Sequence, residues 1–408
     1  MSESALVFDP FDPSYIEDPY PFWEHARDDG GVFFSERFDA WVVSSYEDAL
    51  QVLRQPGLYK SADSFKPAVP LPSEIQEILD GRWEAYLVVN IDPPEHTPVR
   101  RAINRALTRP AVENSVPVMH QVADELIDRF VADGRADIAT QFAREYPAQV
   151  VARILGLTPE QVPDLLDWGH DFETILAGTA SKERLAKAAR GLVDYQQFFV
   201  DEIEKRRLDP KEDLLTAIQQ EFDDDPTLNL STEKIANIPL AVFTAGHNTT
   251  TGAICNGVHV LLQHPDDIGR ALSDPAVMDH AVEELLRFEP PFPFVRRHTT
   301  EPTELGGVHL DTGATVLISL ASANRDKCQF AENPDQFDIE RSGANRHLAL
   351  GYGVHFCPGA PLARKEVPIA LQRLFERLPN MRVVDYTRLE RFVSRGFEQL
   401  IVEWDNDA

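Results

Sequence analysis

LALGYGVHFCPGAPLARKE, residues 348–366, sets three glycines (Gly351, Gly353 and Gly359) around one cysteine, Cys357, directly ahead of a helical pattern. Glycine permits tight turns and close backbone approach, while loop amides and a helix N-terminus stabilise a thiolate. The only other cysteines, Cys255 and Cys328, give too few thiols for a disulfide framework and no zinc-site spacing. Standing alone, such a residue is either an inert buried thiol or the single protein ligand of a metal whose other donors come from elsewhere. Iron in a macrocycle with four nitrogens, a haem, meets the second description.

The rest of the chain bounds the choice. It has 408 residues, of which 43% are hydrophobic and 26% charged, as in an ordinary globular protein with a large core. No run of 18 apolar residues occurs, and the acidic, proline-broken N-terminus lacks the basic flank and apolar core of a signal peptide. A cytoplasmic location is expected. With 39 basic against 67 acidic side chains the net charge is −28, which repels nucleic acid and anionic membrane. Neither is expected as a partner.

Working outward from the cysteine, short strand-like runs appear at 31–36 and 40–45, and helical patterns dominate from about residue 95 to 289. Segment 182–206 carries apolar residues at helical spacing. Ser231 and Glu233 mark the start of a further helix, which Pro239 should kink, and a helix over 276–288 must stop at EPPFPF. Strands follow near 303–310, 314–320 and 392–404. The expected architecture is mainly α with a smaller β portion formed by both ends, a single unit over residues 1–408.

Four further motifs stand in order with the cysteine stretch. EELLR offers Glu284 and Arg287 on one helical face, and NPDQFDIER ends in Arg341. DPPEHTPVRR contains His96 and Arg100, while FVRRHTTEPTELGG contains Arg297. Together with F-C-P-G around Cys357, this set resembles the cytochrome P450 superfamily, of the soluble bacterial type. The resemblance implies haem b lying between a long distal helix and the cysteine loop, with Cys357 as axial ligand. It also implies His96, Arg100, Arg297 and His355 on the haem propionates, Gly351 and Gly359 shaping the loop, and a buried network of Glu284, Arg287 and Arg341. Physically, two buried carboxylates need several convergent cations or donors, and a thiolate behind iron favours cleavage of dioxygen.

LAVFTAGHNTTTGAI, residues 240–254, reads as a core helix with a poor centre, since glycine and threonine are weak helix formers. The resemblance makes it the distal helix, opened locally as an oxygen groove. Ala245 and Gly246 would leave room there, and Thr249 would hydrogen-bond dioxygen. Asn248 departs from the family, which has a carboxylate at that position, and an amide does not titrate in the useful range. Three readings stand: Asn248 organises water while His247 or a more distant acid supplies protons; it slows proton delivery and favours less usual chemistry; or the site is adapted to another small molecule or to peroxide. Pro358 is a second departure, because it removes one backbone donor from beside the sulfur. Leu350 replaces the family's phenylalanine and keeps the packing apolar.

The pocket implied by the resemblance draws on the loop RWEAYLVVN, residues 82–90, on Ala241, Thr244 and Ala245, on Pro293–Val295 and on Phe397. Phe292, Phe294 and Phe397 suggest aromatic lining with no obvious charge anchor. Two acid-free basic stretches, Arg100, Arg101, Arg105 and Arg109, then Arg341, Arg346, Arg364 and Lys365, suit an acidic ferredoxin (with its reductase) or a flavodoxin docking behind the cysteine. The sequence holds no flavin or iron–sulfur module, so electrons are expected from outside. A monomeric monooxygenase inserting one oxygen atom from O2 into a small, largely apolar molecule follows. Its rivals are peroxygenation, nitration or oxidative coupling on the same haem, and a non-catalytic haem gas sensor.

Overall fold

The computed structural model describes residues 6–405 apart from 63, 66, 68, 81–86 and 225–229. Its centre is the helix Thr232–Leu261, thirty residues long. The Ser231 side chain accepts the Lys234 N–H at 3.4 Å, a cap of the kind worth about 1 kcal/mol. Pro239 lies inside this helix without ending it. Around it pack Glu145–Ile154, Lys182–Leu208, Pro275–Phe288 and Ala360–Arg377, and one large apolar core joins them. The helix ahead of EPPFPF spans Pro275–Phe288, so the stop falls where the prolines require it.

Among the described residues, strands from distant parts of the chain make three sheets. β1 (Val32–Ser35), β2 (Ala40–Val43) and β3 (Tyr59–Lys60) come early, followed by β4 (Arg135–Asp137). β5 (Phe294–Thr299), β6 (Thr303–Leu305), β7 (Val308–Leu310) and β8 (Thr315–Ser319) follow the long helices. β9 (Arg382–Arg388) and β10 (Phe397–Glu403) close the order. The main sheet runs β1-β2-β8-β5-β3, the second β4-β10-β9, and β6 pairs with β7 alone.

β8, TVLIS, is buried on both faces, and so reads as a continuous apolar run. Val316 and Ile318 join one core cluster, while Leu317 joins an aromatic cluster with Phe8, Trp23, Phe294 and Phe392. Alternation along β5 therefore sends Phe294 to the aromatic side and Val295 to the other, and Arg297 shares its parity with Val295. A fourth cluster forms a roof from Ser73–Leu79, Val162–Ala177 and the start of Lys182–Leu208, with Ala241 of the central helix packed beneath. No helix among the described residues is long and apolar enough to cross a membrane.

Candidate active site

The cysteine loop is held by its own backbone. Gly351 and Gly353 adopt φ of 71° and 68°, values that side chains rarely tolerate, and a Cβ on Gly353 would lie 2.8 Å from the Leu53 carbonyl. The Cys357 N–H donates to Leu350 O at 2.8 Å, closing the loop, and Ala363 N–H to Gly359 O at 2.9 Å begins the next helix. Burial pushes the Cys357 thiol up. The backbone amides of Gly359 and Ala360, with Arg100 and Arg364, pull the other way and favour thiolate. Pro358 contributes nothing to this set, having no N–H. Pro358→Leu should add a donor of about 1 kcal/mol and raise the haem reduction potential by on the order of 40 mV. Spectroelectrochemical titration checks this, and an unchanged potential would refute it.

Beside the loop, three candidate donors converge. The His96 and His355 rings stand 4.6 Å apart, and the Nε2 of each is buried with no hydrogen-bond partner. Arg297 is buried too, its guanidinium donating to the Arg296 carbonyl at 2.7 Å. Burial first, then Arg297 and His96, push His355 down to about 4, and burial takes Arg297 down to about 10. Asp92 lies among them, accepting the N–H groups of Ser61 and Ala62 at 3.0–3.1 Å and standing 3.7 Å from His355 Nε2. Two buried imidazoles with unpartnered nitrogens beside one buried guanidinium fit a ligand bearing carboxylates. Arg100 is placed differently: its Nε is used by Asn104 at 2.9 Å, and it feels Cys357.

In the central helix Ala245 is exposed and Asn248 and Thr249 are half-buried, while Phe243, Thr244, His247 and Thr250 are buried. One face at mid-helix is therefore left uncovered. The helix stays continuous rather than opening into a break. Its concession is the Thr249 hydroxyl, which donates to Ala245 O at 2.7 Å, a back-bond that competes with the helical ladder.

His247 is corrected from proton donor to core residue. Its Nδ1 donates to Phe243 O at 3.0 Å, its ring fills the space left by Gly169, and burial takes it down to about 4. Neutral near pH 7, it has no proton to spare.

The pocket residues divide. Thr244 is buried against Tyr195, hydroxyl to hydroxyl at 3.1 Å, and faces Lys182–Leu208. Phe397 packs on His259 and lies 4.2 Å from the Arg388 guanidinium, and Phe294 belongs to the aromatic cluster; these three are core side chains. The Pro293 carbonyl accepts Leu320 N–H at 2.8 Å. Val295 packs on the inner side of the main sheet. Phe292 stacks on Phe65 with centroids 6.1 Å apart, and Ala241 packs under the roof. Residues 82–86 of the expected loop lie outside the described residues.

Glu284, Arg287 and Arg341 form one buried network. Arg287 grips both oxygens of Glu284 at 2.7 and 2.8 Å, and Arg341 Nε reaches Oε1 at 3.0 Å. Their remaining donors go to the carbonyls of Asn324, Glu332, Asn333, Pro334 and Gln336.

A sequence profile described as Cytochrome P450 matches residues 37–272 and 269–379. The chain belongs to the cytochrome P450 family. It is 34% identical over 400 residues to the cytochrome P450 monooxygenase PikC of Streptomyces venezuelae, covering 96% of this chain and 92% of that one. It is 33% identical over 374 residues to the 6-deoxyerythronolide B hydroxylase of Saccharopolyspora erythraea, covering 90% and 91%. An intact type IV self-sufficient cytochrome P450 monooxygenase superposes with a TM-score of 0.93 at 30% identity, over 100% of this chain and 54% of that one. Cytochrome P450 CREJ in complex with (4-ethylphenyl) dihydrogen phosphate gives 0.90 at 26% identity, over 98% and 99%.

This P450 is thus an oxidoreductase of the monooxygenase kind, in a family that binds haem through a cysteine thiolate. Two of its site residues escaped the sequence reading. Asp92 stands inside the quoted DPPEHTPVRR, where attention went to the bases. Glu283 is the first residue of EELLR. It accepts two bonds from Arg364, at 2.6 and 2.9 Å, and lies 3.5 Å from His347 Nε2. Despite burial, these two partners hold its carboxyl down at about 2. Only proximity in space reveals that Arg364, on the helix that follows Cys357, is already neutralised.

Proposed function

We propose that this P450 inserts one atom of dioxygen into a small, largely apolar organic molecule, as a monomer taking electrons from a separate ferredoxin or flavodoxin. The observation that carries the reading is the pair of buried, unpartnered Nε2 atoms of His96 and His355, with the buried guanidinium of Arg297 beside them, next to the Cys357 loop. Arg297, His96 and His355, with Arg100 nearer the sulfur, would hold haem b by its propionates. Haem bound there supplies thiolate-supported activation of dioxygen.

The chain's own residues do the rest. The amides of Gly359 and Ala360 steady the thiolate. Ala245 keeps the distal side free of bulk, Gly246 lets Val151 of the helix Glu145–Ile154 close in, and the Thr249 hydroxyl, anchored on Ala245 O, stands ready to orient a small molecule. The apolar roof over Ala241 favours apolar substrates and excludes water.

On the partner side, the basic stretches are partly spent. Arg341 is buried, Arg105 pairs with Glu221, Arg364 with Glu283, and Lys365 lies 3.4 Å from Glu113. Arg101, Arg109 and Arg346 are exposed, with no acid at ion-pair distance among the described residues, and are the cations that would steer an acidic donor. The test is a panel of candidate substrates scored by ligand-induced spin-state change, then product analysis with reduced ferredoxin or hydrogen peroxide alone. Ferredoxin-driven product is expected, and turnover with peroxide only would overturn the reading.

A second reading has its own support. Asn248 cannot titrate and His247 is neutral, so less usual chemistry (peroxygenation, nitration or oxidative coupling) is favoured if protons arrive slowly. Asn248→Asp should then raise turnover by roughly a hundredfold, the low end of what one general acid contributes. The checks are oxygen consumption, product yield and solvent isotope effect. No change in all three means this position does not limit proton delivery.

A further inference from the structure

We propose that Thr251 is a positioning residue that clamps the central helix to a π-helical turn and so fixes the Ala245–Thr249 face. The turn is Ala139–Ala143, in which Arg144 N–H reaches back to Ala139 O at 3.0 Å, and the helix Glu145–Ile154 follows at once. In a regular helix the Ala143 carbonyl would receive the N–H of residue 147. Residue 147 is proline and has none to give. Ala143, Tyr146 and Pro147 are all buried, so that carbonyl has no ready access to water, and a buried unpaired carbonyl is costly. The Thr251 hydroxyl donates to it at 2.8 Å.

The place of this bond gives it a consequence. Thr251 lies two residues past Thr249, about 200° around the helix, and three past Asn248, so it grips the helix on the far side of Asn248 from Thr249. The same short helix closes on Gly246, where a Cβ would lie 3.1 Å from Val151 Cγ2. Asn248 and Thr249 are therefore bracketed in sequence by one contact with the π-helical turn and one with the helix that follows it. That helix also reaches the helix after Cys357, since Tyr146 OH donates to Glu366 O at 3.4 Å. Glu145–Ile154 thus sets the spacing between the Asn248–Thr249 face and the cysteine side. The outer two of three consecutive threonines divide the work: Thr249 bonds within its helix and Thr251 beyond it.

The proposal rests on that face being the oxygen side of a haem site. A parent protein without the reduced carbon-monoxide spectrum of a thiolate-ligated haem would fail the earlier reading and leave this one without a subject. With that spectrum present, Thr251→Val, Thr251→Ser, Pro147→Ala and the double variant Thr251→Val/Pro147→Ala are compared. The readouts are the C–O stretch of the carbon-monoxide complex, hydrogen peroxide released per O2 consumed, and the melting temperature.

Thr251→Val is expected to shift or broaden the C–O stretch and raise the peroxide fraction roughly fivefold, the factor a net hydrogen bond represents. Thr251→Ser keeps the donor and should match the parent. Pro147→Ala returns an N–H to Ala143 O, so the double variant should recover. A Thr251→Val protein with a lower melting temperature but parental stretch and peroxide fraction overturns the proposal, as does one with no change at all. Should Thr251→Val fail to fold, the double variant must fold with the parental stretch, and its failure is equally decisive against the clamp.

Discussion

Cys357→Ala is expected to yield a folded protein that has lost the thiolate-type reduced carbon-monoxide spectrum and all turnover. The separation of fold from function follows from how the loop is held. The bond from residue 357 N–H to Leu350 O is backbone to backbone and survives in alanine, as do the glycine turns at 351 and 353. Lost is the sulfur on which the Gly359 and Ala360 amides and the Arg100 and Arg364 guanidinium groups act. No other thiol can take its place: Cys255 is buried within the central helix, and Cys328 is exposed on a turn after β8. Retention of the spectrum in the alanine protein would remove the basis of the functional reading. The checks are circular dichroism for the fold and the reduced carbon-monoxide difference spectrum for the ligand.

The second large effect is expected at Glu284→Gln. The change keeps shape but removes the one carboxylate facing two buried guanidinium groups, Arg287 with no measurable exposure and Arg341 nearly so. Breaking a buried pair by removing one partner costs about 3–5 kcal/mol, because the other charge is stranded in the interior. Carbonyls of Asn324, Pro334 and Gln336 still solvate Arg287, which sets the loss at the lower end of that range. Denaturant unfolding monitored by tryptophan fluorescence measures it. A loss below about 1 kcal/mol would place the network with exposed ion pairs.

Much of this was legible in the sequence where function depends on local spacing. Glycines around Cys357, the i,i+3 pair Glu284–Arg287 and the cap at Ser231 are properties of a few neighbouring residues, and each took the expected form. Residues whose role depends on a distant partner were not legible. Arg105 and Glu221 are 116 positions apart, and Arg364 and Glu283 are 81 apart, so two cations assigned to docking are neutralised by acids that no local pattern connects to them. Thr244 and Phe397 carry the right chemistry for a pocket, yet Tyr195 and His259 claim them first. The long helix was expected to open at its weak centre. It runs unbroken instead, with the Thr249 hydroxyl bonded back to Ala245 O.

The sheets also constrain biosynthesis. β2, made among the first 43 residues, lies parallel to β8, and β4 pairs with β10, whose last residue is 403. Arg395 then ties the carbonyls of Ile16 and Glu17 to the end of the chain. While the ribosome is still translating, β1 and β2 can pair with each other, but the second edge of β2 waits for β8 and β4 waits for nearly the whole polypeptide, the situation in which nascent chains fold slowly and depend on chaperones. Expression limits for this protein should therefore lie in the last steps of maturation, and removing the residues after Gly396 should leave insoluble product instead of a shortened enzyme.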